Sequence, residues 1–277
     1  DAVLGLRRRG SVGMRLRGQH AQGRMQAHVA RTAALQVGAE TRGRIDGDRC
    51  GRFTSTVISG IDVKPSAEWM ARRLTAAGMR PISNVVDVSN YVMLELNQPN
   101  HAYDLDALGG GGFRIRLAAD GERLTTLDGE ERTFTADDLF ICDANDAPIG
   151  LAGIMGGLDT EINDSTTTVA LEMAWFSPVA IGRSVARTNL RSEASARFER
   201  GVDPHGMSTA IARFVELLSE TCADLVVHAG AVDARSDHLP AEHRSVDVRI
   251  SAVNRILGTD LAADDLTPLL DPIGYRV

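Results

Sequence analysis

Cysteine is scarce in this chain. The 277 residues hold three, Cys50, Cys142 and Cys222, far apart and never in a CxxC spacing. An odd, dispersed set excludes a disulfide framework and a cysteine-built zinc site, and it suits a reducing, cytoplasmic setting. The seven histidines are scattered too, with no HxH or HExxH pair, so no protein-held metal is expected. No stretch approaches the run of about 18 apolar residues that crosses a membrane. No apolar core follows the N-terminal arginines as it would in a signal peptide. Nucleotide fingerprints are missing as well: there is neither a GxGxxG after a strand nor a GxxxxGK followed by Ser or Thr.

What is present is an ordinary soluble composition, 43% hydrophobic, and a length that suits one large domain plus pieces of others. The net charge of −7 hides an asymmetry. Residues 1–50 carry ten Arg, no Lys and four acids, so the remainder is strongly acidic. An acidic body argues against a surface that coats nucleic acid, while leaving room for contact with one nucleic-acid end. The chain starts at Asp1 and stops inside an apparent element, as a piece of a longer protein would. Residues 1–50 show no sustained period of 2 or 3.6. They read as a basic arm, as a poorly packed or disordered leader, or as an altered reading frame, since the character changes abruptly near Gly51.

From Phe53 the signals sharpen. Phe53–Val63 is β-rich. Pro65-Ser66 opens a helix, with Ser66 the expected N-cap and Gly78 the C′ residue. Ser83–Leu96 spaces Val85, Val88, Val92 and Leu96 on one helical face. That helix is expected to end at Asn97, because Pro99 holds Gln98 extended, which leaves His101 on a loop. Phe113–Ala118 alternates as a strand, Asp128-Gly129 marks a hairpin, and Leu139–Cys142 and Thr166–Phe176 read as strands. Ser177-Pro178 and Asp203-Pro204 each announce a helix. Residues 236–243 form a polar linker with Pro240. Val246–Ile250 then reads as a strand, Ser251 as the cap of a helix ending at Gly258, and residues 260–270 as a further helix into which Pro268 fits badly.

Polar residues stand out against this background. Arg80–Asp104 sets a Ser89-Asn90 pair, an apolar run and the lone His101 into one segment. Residues 148–157 (PIGLAGIMGG) hold four glycines, which permit positive φ and close approach to a ligand, or simply a pair of tight turns. Glu172 lies inside the apolar strand TTTVALEMAWF. If Leu171 and Met173 form the buried face, Glu172 faces solvent, and alternation alone does not decide between that and a site. Residues 191–204 (RSEASARFERGVDP) are dense in opposite charges, either a contact surface or a salt-bridged structural knot.

These stretches, taken in order, resemble the β subunit of bacterial phenylalanine–tRNA ligase. RPISNVVDVSNYVMLELNQPNHAYD, LAGIMGG, VALEMAWFSP and RSEASARFERGVDP match its editing region, the B3/B4 domain. VDVRISAVNRILGTDLAADDL resembles the start of its B5 domain. Residues 1–50 depart from the family, which has an asparagine-arginine-proline-aspartate run there; only DAVLGL and Ala33-Ala34-Leu35 are similar. The family's N-terminal tRNA-binding OB fold, catalytic-like and anticodon-binding domains have no counterpart here.

The resemblance implies an α+β fold with mixed and antiparallel sheets: an atypical leader over 1–50, an editing domain over 51–235, a linker over 236–243 and the opening of a small α+β domain over 244–277. It implies a β subunit that supports attachment of phenylalanine to tRNA(Phe) by the α subunit, in an α2β2 heterotetramer. It further implies hydrolysis of mischarged tyrosyl-tRNA(Phe). An apolar pocket for phenylalanine rejects an analogue that merely adds a hydroxyl by only about a hundredfold, so a second site must select tyrosine. In that site Glu172 would receive the phenol, His101 would hold a water or the terminal ribose, Ala152 and Gly153 would line the pocket, and Ser89 and Asn90 would match a threonine–asparagine pair. No cofactor is expected in this segment; ATP and Mg2+ belong to the whole enzyme. A free-standing trans-editing hydrolase and a structural module without activity are the alternatives.

Overall fold

The computed structural model describes residues 3–8, 43–242 and 245–276. They fall into two compact units, one holding residues 43–239 and the other joining 3–8 to the described residues from Pro240 onward. The larger unit is α+β. Its framework is β3 (Cys50–Ser59) laid antiparallel against β11 (Thr168–Phe176), in a register that sets Glu172 opposite Ser55. β3 carries the β-branched Thr54, Thr56, Val57 and Ile58, and both strands are buried along almost their whole length, as expected of strands covered on two faces. The four-stranded path runs β12 (Val226–Val227), β3, β11, β4 (Asn100–Asp104), and β13 (Val232–Arg235) also pairs with β3.

One face of this sheet carries helices: α1 (Glu68–Ala76), α2 (Asn84–Leu96) and α5 (Met207–Leu218). Val85, Val88 and Val92 of α2 meet Met207, Ile211, Phe214 and Leu218 of α5 there, with Leu171 and Met173 of β11 beneath them. The opposite face packs on a second five-stranded sheet, ordered β10 (Met155–Gly156), β9 (Pro148–Leu151), β8 (Leu139–Asp143), β5 (Phe113–Leu117), β2 (Gly43–Ile45). Phe53, Tyr103, Ala170, Ala174 and Phe176 of the central sheet join Phe113, Phe140 and Leu151 in that core. Two further helices, α3 (Pro178–Thr188) and α4 (Glu193–Phe198), add Ile181, Val185 and Phe198 to it. The hairpin predicted at Asp128-Gly129 is β6 (Arg123–Thr125) and β7 (Glu131–Thr133), with Gly129 at φ 80°.

In the smaller unit, β1 (Val3–Arg8) lies between β14 (Ser245–Arg249) and β15 (Tyr275–Arg276), antiparallel to both. Helices α6 (Ile250–Leu257) and α7 (Ala263–Leu270) follow β14. Gly258 closes α6 in the left-handed region, as its position predicts, and Pro268 is accommodated inside α7. Residues 1–50 were expected to lack regular structure; Val3–Arg8 and Gly43–Ile45 are strands instead, the second parallel to β5. Their pairing partners are far along the chain, so no local period announces them. The basic stretch 9–42, with Ala33-Ala34-Leu35, lies outside the described residues.

Three helix starts also differ from expectation. Ser66 does not cap α1, whose N-cap is Ala67; its hydroxyl donates instead to Asp87 Oδ2 at 2.5 Å. The helix announced by Asp203-Pro204 begins at Met207, and α6 begins at Ile250 rather than after a Ser251 cap. Ser83 does cap α2, accepting from the Val86 N–H, and Asn97 ends it at φ 54°.

The start of α2 is further pinned by Asn84, which is fully buried. Its side chain accepts from Lys64 N and donates to Asp62 O and Thr221 Oγ1. Replacing Asn84 by Ala leaves these groups without partners inside the core, and is expected to cost about 2–3 kcal/mol. The check is a lower urea midpoint at unchanged slope.

Candidate active site

Residues of β11 alternate between two covered faces. Val169, Leu171 and Met173 point into the helical layer, while Ala170, Ala174 and Phe176 point toward the second sheet. Glu172 takes the second set's parity, so no solvent-facing side of the strand exists for it, and it is only 6% exposed. Burial penalises the ionised carboxyl and pushes it up to about 7, against the downward pull of a hydrogen bond from Tyr103. That bond runs from Tyr103 OH to Glu172 Oε2 at 2.8 Å.

Directly opposite Glu172 on β11 is His101 on β4. The loop assignment of His101 therefore gives way to a strand. Asn97 takes the left-handed conformation, Pro99 follows, and the chain enters β4 at Asn100. Gln98, buried, donates from Nε2 to Ala174 O at 3.1 Å and so anchors this short turn to β11 before pairing begins. In a strand, His101 and Tyr103 share a face, and their rings meet edge-on, 4.4 Å apart at 79°. Desolvation drives His101 down to about 4. It is neutral at pH 7, as expected, but for a stronger reason than an ordinary imidazole pKa.

Beyond β4 lies a cavity of about 260 Å3. Its wall includes Ser89, Asn90 and Met93 from α2, His101 and Tyr103 from β4, and Glu172 from β11. Gly150, Leu151 and Gly153–Gly156 of the β9–β10 hairpin, and Ser192–Ala194 ahead of and within α4, add to it. Two buried polar atoms of lining residues have no hydrogen-bond partner: His101 Nε2 and Asn100 Oδ1. Unsatisfied buried polar atoms are costly and rare, so two on one cavity make it a candidate ligand site. His101 Nε2 sits close against Gly156, where an added Cβ would lie 2.9 Å from it.

Of the six residues singled out in the sequence, Ser89, Asn90, His101, Gly153 and Glu172 line this cavity and Ala152 does not. Ala152 is buried in the core, and its N–H is taken by Leu139 O at 2.9 Å. Gly153 has φ 69°, and a Cβ there would come within 3.0 Å of Phe176 and Ile181. Its lack of a side chain thus serves the turn and the packing of the core beside the cavity. The Ser89 hydroxyl donates to Asn100 O at 3.0 Å while Asn100 Nδ2 donates to Ser89 O at 3.1 Å, so Ser89 joins α2 to β4. Tyr103 and Asn100 escaped the sequence reading. The signal for Tyr103 was the alternation of Asn100–Asp104, visible once the segment is taken as a strand.

The charged segment after Arg191 is internally paired. Arg191 and Arg200 share Glu199, and Arg197 pairs with Glu193 one turn earlier. Ser192 caps α4 and donates to Ile154 O at 2.6 Å, tying the helix to the hairpin on the cavity wall. Among the described residues, no group of three His, Cys, Asp or Glu is placed to hold a metal ion, and no helix is long and apolar enough to cross a membrane.

Comparison with known proteins adds a lineage to this geometry. The B3/4 domain family model matches residues 49–223. The phenylalanine–tRNA ligase β subunit of Geobacter metallireducens is 44% identical over 232 residues, covering 84% of this chain and 28% of its own length. That of Geobacter sulfurreducens is 45% identical over 230 residues, covering 83% of this chain and 28% of its own. That of Halalkalibacterium halodurans is 43% identical over 223 residues, with 80% and 27% coverage. The chain thus spans less than a third of the length of these relatives. A solved N-terminal fragment of the phenylalanyl-tRNA synthetase β subunit from Pyrococcus horikoshii aligns over 85% of this chain and 67% of its own, at TM-score 0.42 and 10% identity, a loose likeness.

Proposed function

Because the chain belongs to the B3/4 domain family and is similar to phenylalanine–tRNA ligase β subunits, we propose that its cavity hydrolyses tyrosyl-tRNA(Phe) as part of such a subunit. The observation that carries this reading is the pairing of Glu172, a carboxylate buried between two apolar layers, with His101, whose Nε2 is unpaired on the same cavity. In the whole enzyme this β chain would assemble with an α subunit, which performs the ATP- and Mg2+-dependent synthesis, and would meet tRNA at its 3′ end. No step proposed here passes through either cofactor.

Selection comes first. Glu172 Oε2 already accepts from Tyr103, so a substrate phenol would donate to Oε1. Phenylalanine would leave that oxygen buried and unmatched, which is the asymmetry that makes polar sites selective. Hydrolysis then needs little more than an oriented water. Water oxygen bonds to the carbonyl carbon, the bond to the ribose 3′ oxygen breaks, and a proton passes to that oxygen. A neutral His101 with a depressed pKa is a weak base but a well-placed hydrogen-bond partner for the water or the ribose hydroxyl.

The test uses the full-length β subunit assembled with its α partner and given tyrosyl-tRNA(Phe). Release of tyrosine is expected from the wild type, and a loss of about tenfold or more in His101→Ala, typical of one positioning group. Gly156→Ala pushes a methyl against His101 Nε2; we expect a similar loss with the melting temperature within about 3 °C of wild type. Unchanged hydrolysis in both variants would sink the role of His101.

A further inference from the structure

We propose that Tyr103 is the positioning residue of this site: its phenol fixes the Glu172 carboxylate by one oxygen, so that the other is held ready for the phenol of a ligand. The inference rests on the editing reading and names how that site sees its substrate. Among the described residues Tyr103 is the one hydrogen-bond donor to Glu172, at 2.8 Å. It is also the side chain that touches both groups assigned to the site, since its ring lies edge-on to His101 at 4.4 Å. Phe113 packs on it at a centroid distance of 5.3 Å, and the residue is 1% exposed. A phenol held this way has almost no freedom, so the carboxylate it holds is fixed too.

The contact carries a second message. It shows that this carboxylate accepts a phenol in its own buried surroundings, at ordinary hydrogen-bond length. The protein's own tyrosine occupies one oxygen as a substrate tyrosine would occupy the other. Two phenols donating to one carboxylate also favour its ionised form, so ligand binding and ionisation of Glu172 support each other. A tyrosine that merely filled the core would need an acceptor for its hydroxyl, but removing that hydroxyl would not alter how the site responds to pH.

The experiment compares wild type, Tyr103→Phe, Glu172→Gln and the double variant in the full-length α–β enzyme. Tyrosyl-tRNA(Phe) hydrolysis is measured from pH 5.5 to 9. In parallel, binding is measured for the non-hydrolysable 3′-amide analogues of tyrosyl- and phenylalanyl-adenosine. We expect Tyr103→Phe to raise KM about tenfold at pH 7 with kcat within about twofold, the worth of one hydrogen bond to a charged group. The midpoint of the rise in kcat/KM should move alkaline by about one pH unit, and in the Glu172→Gln background Tyr103→Phe should change neither. A KM and a midpoint equal to wild type would reduce Tyr103 to packing, with the editing reading intact. If the wild type hydrolyses nothing, the editing reading fails and the binding arm alone judges Tyr103. A preference for the tyrosyl amide that drops in Tyr103→Phe supports the positioning role, and an unchanged preference overturns it.

Discussion

Glu172→Ala is expected to lower kcat/KM for tyrosyl-tRNA(Phe) hydrolysis about a hundredfold, the upper range for losing a hydrogen bond to a charged group in a buried site. Hydrolysis of phenylalanyl-tRNA(Phe) should rise about tenfold, because the variant removes the carboxylate that a phenyl ring leaves unmatched. Glu172 lies on a strand covered by helices on one side and a sheet on the other, so few donors compete for it. A phenol therefore finds an acceptor that has few competitors, and a phenyl ring leaves that acceptor unsatisfied. The ratio of the two rates, measured in the assembled full-length enzyme, reads selectivity separately from any general loss of fold.

The second large effect is on stability. Glu172 rises from 4.5 to about 7 on folding. Its contribution is full below pH 4.5 and is lost as pH rises through about 7, because the folded state holds a proton that the unfolded state has released. The cost above pH 7 is about 3 kcal/mol from the size of that shift. Glu172→Gln keeps an acceptor for Tyr103 and removes the charge, so it should stabilise the chain by about 3 kcal/mol at pH 8 and not at pH 4. His101 acts in the opposite sense: lowered from 6.5 to about 4, its contribution is full above pH 6.5 and is lost as pH falls through about 4. Between pH 4.5 and 6.5 the two slopes oppose each other, and the wild type should be nearly flat with respect to this pair. Denaturant titrations at pH 4, 6 and 8 check this. A Glu172→Gln variant with no stability gain at pH 8 would contradict the burial argument.

A site held at such a cost fits a functional role better than a structural one. A leucine at position 172 would fill the same space without the desolvation penalty. The unpaired His101 Nε2 and Asn100 Oδ1 belong to residues on the same cavity and add to that cost.

Much of the scaffold was legible because its signals are local. The end of α2 follows from Asn97 and Pro99, and the hairpin from Asp128-Gly129. Other features depend on partners that no local period reveals. Ser66 looks like a cap until Asp87 claims its hydroxyl. Val3–Arg8 has no alternation to mark it and becomes a strand only against Ser245–Arg249. His101 looked like a loop residue because β4 is five residues long and follows a proline; its edge-strand place beside β11 comes from tertiary pairing. The candidate residues themselves were named through family resemblance. What the sequence could not convey was their geometry: Glu172 facing His101 across one register step, Ala152 withdrawn into the core, and Tyr103 standing between the two.

The central claim is that Glu172 receives a phenol inside this cavity. Its most direct test is a crystal structure of the full-length α–β enzyme with the non-hydrolysable 3′-amide analogue of tyrosyl-adenosine. The account predicts the ligand phenol oxygen about 2.7 Å from Glu172 Oε1, with the Tyr103 bond to Oε2 intact and the amide beside His101 Nε2. An analogue bound in the cavity with its phenol turned away from Glu172, or bound elsewhere on the β subunit, would contradict it.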